Sequence, residues 1–236
     1  MRHADQWIKS VRGCTGWPSF GIALALVVLL IWGCGGTPHA PNGPDTPTGI
    51  HRVLVLPFKK VSPAQKGETG VRCPLSGAVF STGEVIPGAT RTMTRHLLKF
   101  LKERTEYQLI PPEQAEGIRS QILSKDIGAQ ERSMLIEIGR TLGVDAVLVG
   151  HIYRYRERIG TAYSVDTPTS VALDLHFIRV ADGTFIWHGR FDETQTSLSE
   201  DCLKIFSFIQ RGGKWLTADE LAGAGLEEVL DTFPTR

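Results

Sequence analysis

The chain has 236 residues, with 26 Lys+Arg against 25 Asp+Glu and 42% hydrophobic residues. A formal net charge of +1 excludes the strongly basic balance that would draw a protein generally to nucleic acid or to anionic lipid. The length suffices for one large core, as one domain or one domain plus a tail.

Arg2, Lys9 and Arg12 form a basic lead segment, and Gly21 to Trp32 (GIALALVVLLIW) is an apolar run of about 12 residues. A membrane-spanning helix needs roughly 20, and Pro18 resists extending a helix backwards from the run. This order is that of a secretory signal. The stretch Ile31-Trp32-Gly33-Cys34 resembles the lipobox of bacterial lipoproteins, with Ile31 where Leu is commoner and Trp32 where a small residue is usual. The resemblance implies cleavage before Cys34, a diacylglyceryl group on its sulfur and an acyl group on its freed amine. Each buried CH₂ contributes about 0.8 kcal/mol, so several chains anchor the protein stably. Gly35, rather than Asp, follows the lipid cysteine. By the sorting rule of enteric bacteria this implies the outer membrane, with the domain facing the periplasm.

The expected organisation is a signal segment over 1–33, a tether over 34–50 and a single α/β domain over 51–236. The mature part keeps 203 residues, 23 of them basic and 24 acidic. Residues 36–49, GTPHAPNGPDTPTG, are too rich in Pro and Gly to pack and read as an extended, solvated spacer. Residues 51–58, HRVLVLPF, read as a buried central strand. The long stretch 59–88, with three prolines, reads as an irregular and functional loop. Met93, Leu97, Phe100 and Leu101 then fall on one helical face. Residues 107–110 are a second strand. A helix after Pro111-Pro112 carries Ala115, Ile118 and Ile122. Another carries Leu135, Ile138 and Leu142 and ends at Gly143. Residues 145–152, DAVLVGHI, are a third strand that needs cover on both faces.

Two alternating strands follow around Asp182-Gly183. A two-residue turn would oppose Phe177 to His188 and Leu175 to Arg190. A three-residue loop, Ala181-Asp182-Gly183, instead pairs Phe177 with Trp187, Leu173 with Phe191, Asp174 with Arg190 and His176 with His188. The second keeps apolar and polar faces apart, and it places Gly183 in a left-handed bulge. Near the C-terminus Cys202, Phe206 and Ile209 share a helical face. Thr217 and Glu220 form a capping box for a helix that buries Leu226, Val229, Leu230 and Phe233. The expected fold is an α/β sandwich of about five strands, parallel where helices cross over and antiparallel at the hairpin.

This order, and the stretches RVLVLPF at 52–58, LGVDAVLVGHIYRY at 142–155 and VALDLHFIRVADGTFIW at 171–187, resemble a fold group of envelope lipoproteins. The group includes the curli-secretion channel subunit, the activator of penicillin-binding proteins and the amino-terminal domain of TolB. The resemblance implies a non-catalytic module that binds envelope proteins or assembles with copies of itself, with no catalytic residue to carry over and no cofactor. The alternatives are a subunit of an outer-membrane secretion complex and, with least support, a metal-dependent enzyme.

No H-E-x-x-H, Walker A, G-x-S-x-G or paired C-x-x-C motif occurs. Cys73 and Cys202 either pair in an oxidising compartment or stand as a buried and an exposed thiol. His176 and His188 with Asp174 could in principle take zinc or copper. The favoured reading of those positions is a polar sheet face with an Asp174–Arg190 pair. Arg154, Arg156 and Arg158 alternate, either as cations for an acidic partner or lipid headgroup or as a charged edge that resists aggregation, and the alternating Tyr153 and Tyr155 give an aromatic surface on the other side. Cys73, Leu75, Val79 and Phe80 sit in the long loop. Either the loop folds back onto the domain or Leu75, Val79 and Phe80 anchor a partner.

Overall fold

A computed structural model describes residues 49–63, 67–125, 130–161, 164–196 and 215–235. Cys34, the tether as far as residue 48 and the expected helical face of Cys202, Phe206 and Ile209 lie outside them. The strands are β1 (Arg52–Val55), β2 (Lys59–Lys60), β3 (Gly70–Arg72), β4 (Val79–Ser81), β5 (Gln108–Ile110), β6 (Ala146–Arg156), β7 (Ile159–Gly160), β8 (Val165–Thr167), β9 (Ser170–Arg179) and β10 (Phe185–Thr194). The helices are α1 (Ala89–Arg104), α2 (Glu113–Lys125), α3 (Glu131–Leu142) and α4 (Ala218–Leu230).

The main sheet runs β10-β9-β6-β1-β5, with β2 also on β6. β1 is parallel to β5 and β6, whereas β9 is antiparallel to both β6 and β10. The fold is thus the expected α/β arrangement with a mixed sheet. β1 explains why a short aliphatic run lies at its centre. Val53 and Val55 enter one core, with α1 and α4, while Leu54 enters the other, with α2 and α3. Asp145 fixes the register, since its Oδ2 accepts the backbone N–H groups of His51 at 2.9 Å and Arg52 at 2.8 Å.

The local punctuation follows the side chains. α1 buries Ala89, Met93, Leu97 and Leu101, one residue per turn. Gly143 ends α3 at φ 60°, a left-handed cap that glycine adopts without Cβ strain. Thr217 and Glu220 form the reciprocal capping box of α4. The β9–β10 ladder has the three-residue-loop register, with Phe177 opposite Trp187 and Asp174 opposite Arg190. Gly183 has φ 72°.

Two expectations need correction. The stretch 59–88 is not an irregular loop throughout. It contributes β2 to the main sheet and folds β3 and β4 into a hairpin, with Val71 opposite Phe80. Second, Tyr153 and Tyr155 do not share a face. The β6–β9 register shifts between Ile152 and Arg154, so Tyr153 is an extra residue, and such a bulge inverts the side-chain alternation beyond it. Tyr155 packs in the core with α1 and α4, and Tyr153 packs beneath the β3–β4 hairpin.

One close approach is a test of this packing. At Gly150, in the middle of β6, an added methyl would overlap the ring of Phe58. Gly150→Ala is expected to destabilise the protein by about 1–3 kcal/mol, as overpacking does. A urea titration measures this. A midpoint equal to wild type would mean that Phe58 does not sit against β6.

Candidate functional site

Helices α2 and α3 cover one part of a sheet face, and the β3–β4 hairpin covers another. Beneath that roof four side chains converge. β6 supplies His151, opposite Asp174 of β9, and β9 supplies His176 two residues on. Such spacing puts both β9 groups on one face. Cys73 comes from the hairpin, whose turn is closed by the Cys73 N–H to the Ala78 carbonyl at 2.7 Å and the Gly77 N–H to the Cys73 carbonyl at 2.9 Å. All four are buried, and one ligand atom from each lies within 4.8 Å of the others.

The Asp174 carboxylate is the hub. His151 Nδ1 lies 3.0 Å from its Oδ1, His176 Nε2 lies 3.0 Å from its Oδ2, and the Tyr153 hydroxyl donates to Oδ2 at 2.8 Å. Cys73 Sγ is 3.3 Å from the same His176 Nε2, and it accepts the backbone N–H groups of Leu75 and Ser76, each at 3.4 Å. Outside this shell, Glu131 Oε1 faces His151 Nε2 at 3.4 Å and Lys59 Nζ at 3.2 Å.

The electrostatics follow from burial opposed by pairing. Burial pushes the Cys73 thiol up, but hydrogen bonds from His151, His176 and Ser76 outweigh it and bring its pKa down to about 5. Burial pushes both histidines down, while Asp174 and then Cys73 pull them up, His151 to about 11 and His176 to about 9. Asp174 resists burial through the two histidines and stays well below the usual carboxylate range. Tyr153 is held protonated by burial and by Asp174. In the metal-free protein the network is therefore a thiolate and two carboxylates against two imidazoliums and Lys59.

These shifts fix how the stability of the metal-free protein varies with pH. The His151 and His176 contributions are complete below about 6.5 and fade as pH rises through about 9 and about 11. The Cys73 contribution is complete above about 9 and fades as pH falls through about 5. Between 5 and 6.5 only the thiol changes, and stability rises. Between 6.5 and 9 two falling contributions outweigh one rising. Stability of chelator-treated protein should peak near pH 6.5. A denaturation midpoint that climbs steadily to pH 9 would contradict these pairings.

His176 does not stand between Cys73 and Asp174 as the histidine of a nucleophile–base–orienter triad does. In such a triad the two ring nitrogens of one histidine bridge nucleophile and carboxylate. Here His176 turns the same Nε2 to both Cys73 and Asp174, and its Nδ1 is buried without a partner. Cys73 is 2% exposed, so its sulfur does not face solvent. A thiolate, two imidazoles and a carboxylate held together are a donor set that could hold a metal ion.

The sequence expectations fare unevenly here. Asp174 and His176 belong to the cluster, but His188 is exposed on the edge strand β10 and is replaced by His151 and Cys73. The expected Asp174–Arg190 pair does not form. Arg190 binds Asp192 at 3.2 Å and the Val79 carbonyl at 3.1 Å, and it stacks over Phe80 at 4.2 Å. Phe80 is not an open anchor either. It is sandwiched between Arg190 and Tyr153, whose ring lies 3.9 Å away at 7°. Leu75 is half-buried against the same core, and Val79 alone of the three is exposed.

Arg154 is not a surface cation, because it is buried and donates to Ser170 Oγ, the Ser81 carbonyl and Asp192 Oδ1, the last at 2.7 Å. Arg156 and Arg158 are half-buried, near the Pro168 carbonyl and Glu157. Cys73 is a free thiol among the described residues.

The site lies in an α/β domain with a mixed sheet, and comparisons with known proteins reach no finer class. No family model matches the chain, and no curated protein matches it. Among solved structures it is similar to a PelC dodecamer from Paraburkholderia phytofirmans, at 13% identity and TM-score 0.44 over 79% of this chain and 90% of that one. It is similar to the LpoB C-terminal domain from Salmonella enterica, at 18% identity and TM-score 0.39 over 63% and 87%. Lipoprotein GNA1162 from Neisseria meningitidis matches at 18% identity and TM-score 0.39 over 67% and 91%.

Proposed function

We propose that the chain is a lipid-anchored lipoprotein of the bacterial envelope, held at the outer membrane through Cys34, whose folded domain is a non-catalytic binding module for other envelope proteins. One observation carries this reading. A basic segment, a short apolar run, Gly33-Cys34 and a Pro/Gly-rich spacer stand in that order before a domain whose first strand begins at Arg52. That is the layout of a tethered domain.

Cys73, His151, Asp174 and His176 are buried, whereas the outer face of α1 is open. Arg91, Arg95, Lys99 and Lys102 are exposed along it and line a groove of about 710 Å³ with Leu98 and Pro57 on its floor. Only Glu103 and Glu113 of its lining residues oppose them. Four cations beside an apolar strip suit an acidic, partly apolar segment of a partner. This groove takes over the partner-binding role first assigned to Phe80 and Arg154.

A photo-crosslinking residue at Lys99, used in living cells on the full chain, should yield an adduct with a specific envelope protein. Arg95→Glu should remove most of it. Adducts with copies of the chain alone would favour self-assembly instead, and adducts unaffected by Arg95→Glu would exclude the groove.

A further inference from the structure

We propose that Cys73 Sγ, His151 Nδ1, His176 Nε2 and the Asp174 carboxylate form a closed, four-ligand site for one Zn²⁺ ion per chain. Bonds of about 2.0–2.3 Å to a tetrahedral zinc set ligand–ligand edges of about 3.3–3.8 Å. The two histidine–Asp174 contacts of 3.0 Å, the sulfur–His176 contact of 3.3 Å and an outer limit of 4.8 Å straddle that edge. Side-chain adjustments of about 1 Å would seat the ion at such bond lengths.

The contact pattern is hard to explain without an ion. One N–H points along one direction, yet His176 Nε2 faces a sulfur and a carboxylate together. A cation placed among the four donors meets all of them at once.

The outer shell is also in place. The Leu75 and Ser76 N–H groups point at the sulfur, Tyr153 donates to Asp174, and Glu131 accepts from the far nitrogen of His151. Such contacts orient the ligands, and the Glu131 contact fixes the tautomer of His151. Charge closes as well. Zn²⁺ with one thiolate, one carboxylate and two neutral imidazoles is neutral, and Glu131 is balanced by Lys59.

Zinc is favoured over copper because the fourth donor is a hard carboxylate rather than a long axial thioether. With no open coordination position the ion is structural. It ties the β3–β4 hairpin to a sheet strand 103 residues further along the chain and so closes a long loop, as a disulfide would.

The test uses the full chain in detergent, reduced, stripped with a chelator and reloaded with zinc or cobalt alone. One zinc per chain should survive dialysis. Co²⁺ should give the visible bands of a tetrahedral site and a near-ultraviolet sulfur-to-metal band. Cys73→Ser should remove the sulfur band and weaken zinc binding by more than about 100-fold, while His188→Ala and Cys202→Ser change neither.

Sub-stoichiometric zinc in the native chain, a cobalt spectrum without a sulfur band, or loss of that band in Cys202→Ser would overturn the site. If Cys73→Ser fails to fold, the native chain's stoichiometry and cobalt spectrum still decide. None of these readouts depends on the membrane anchor or the partner groove.

Discussion

Asp174→Ala is expected to lower the stability of the metal-free protein by about 3–5 kcal/mol, the cost of breaking a buried, fully paired charge. Asp174 is 2% exposed and is the common acceptor of His151, His176 and Tyr153. Removing it takes the shared acceptor from two buried imidazoles and a hydroxyl, leaving His151 only Glu131 and Cys73, and His176 only Cys73. Asp174→Asn retains an acceptor but loses the charge, so its loss should be smaller. Guanidinium titrations of the chelated variants measure both. A loss below about 1 kcal/mol for Asp174→Ala would mean that the cluster is hydrated and its pairings are weak.

The contrast with Arg190 sharpens this test. Arg190 stands opposite Asp174 in the ladder, yet its contacts are with Phe80, Asp192 and the Val79 carbonyl on the exposed side. Arg190→Ala should therefore cost about 0.5–1 kcal/mol, the scale of an exposed cation–π contact. Losses of similar size for Arg190→Ala and Asp174→Ala would revive the simple cross-strand pair.

The second large effect concerns attachment. Cys34→Ala should reduce incorporation of labelled fatty acid to background and leave residues 1–33 on the chain. Under the proposed anchoring, the sulfur that would carry the diacylglyceryl group is gone. The folded domain should be unaffected, since its first strand starts at Arg52, and its denaturation midpoint should match wild type. Labelling that persists in Cys34→Ala would place the lipid elsewhere, with Cys14 the first residue to examine.

How much was legible depended on the kind of signal. Turn and cap chemistry was readable because it is local. Gly183, Gly143 and the Thr217–Glu220 box each act within a few residues, and the apolar–polar alternation of β9 and β10 left one sensible register. The cluster was only half legible. Asp174 and His176 stood out on an alternating strand, but His151 was hidden in β6, whose faces are both buried, so apolar neighbours on either side mask its parity. A lone histidine in such a strand, next to a strand carrying Asp-x-His, was the signal that could have found it.

Two further features were beyond local patterns. The bulge at Tyr153 puts Arg154 on the face covered by the β3–β4 hairpin, where it donates to the Ser81 carbonyl. Cys73 reaches the site only because a hairpin folds back over the sheet, which periodicity within 59–88 does not reveal.

The anchor at Cys34 is tested most directly by the intact mass, with fragmentation, of the protein extracted from its native membranes. The expected species begins at Cys34 and carries acyl chains on that residue. A species that keeps Met1, or a Cys34 with a free thiol, would contradict export and anchoring by this route.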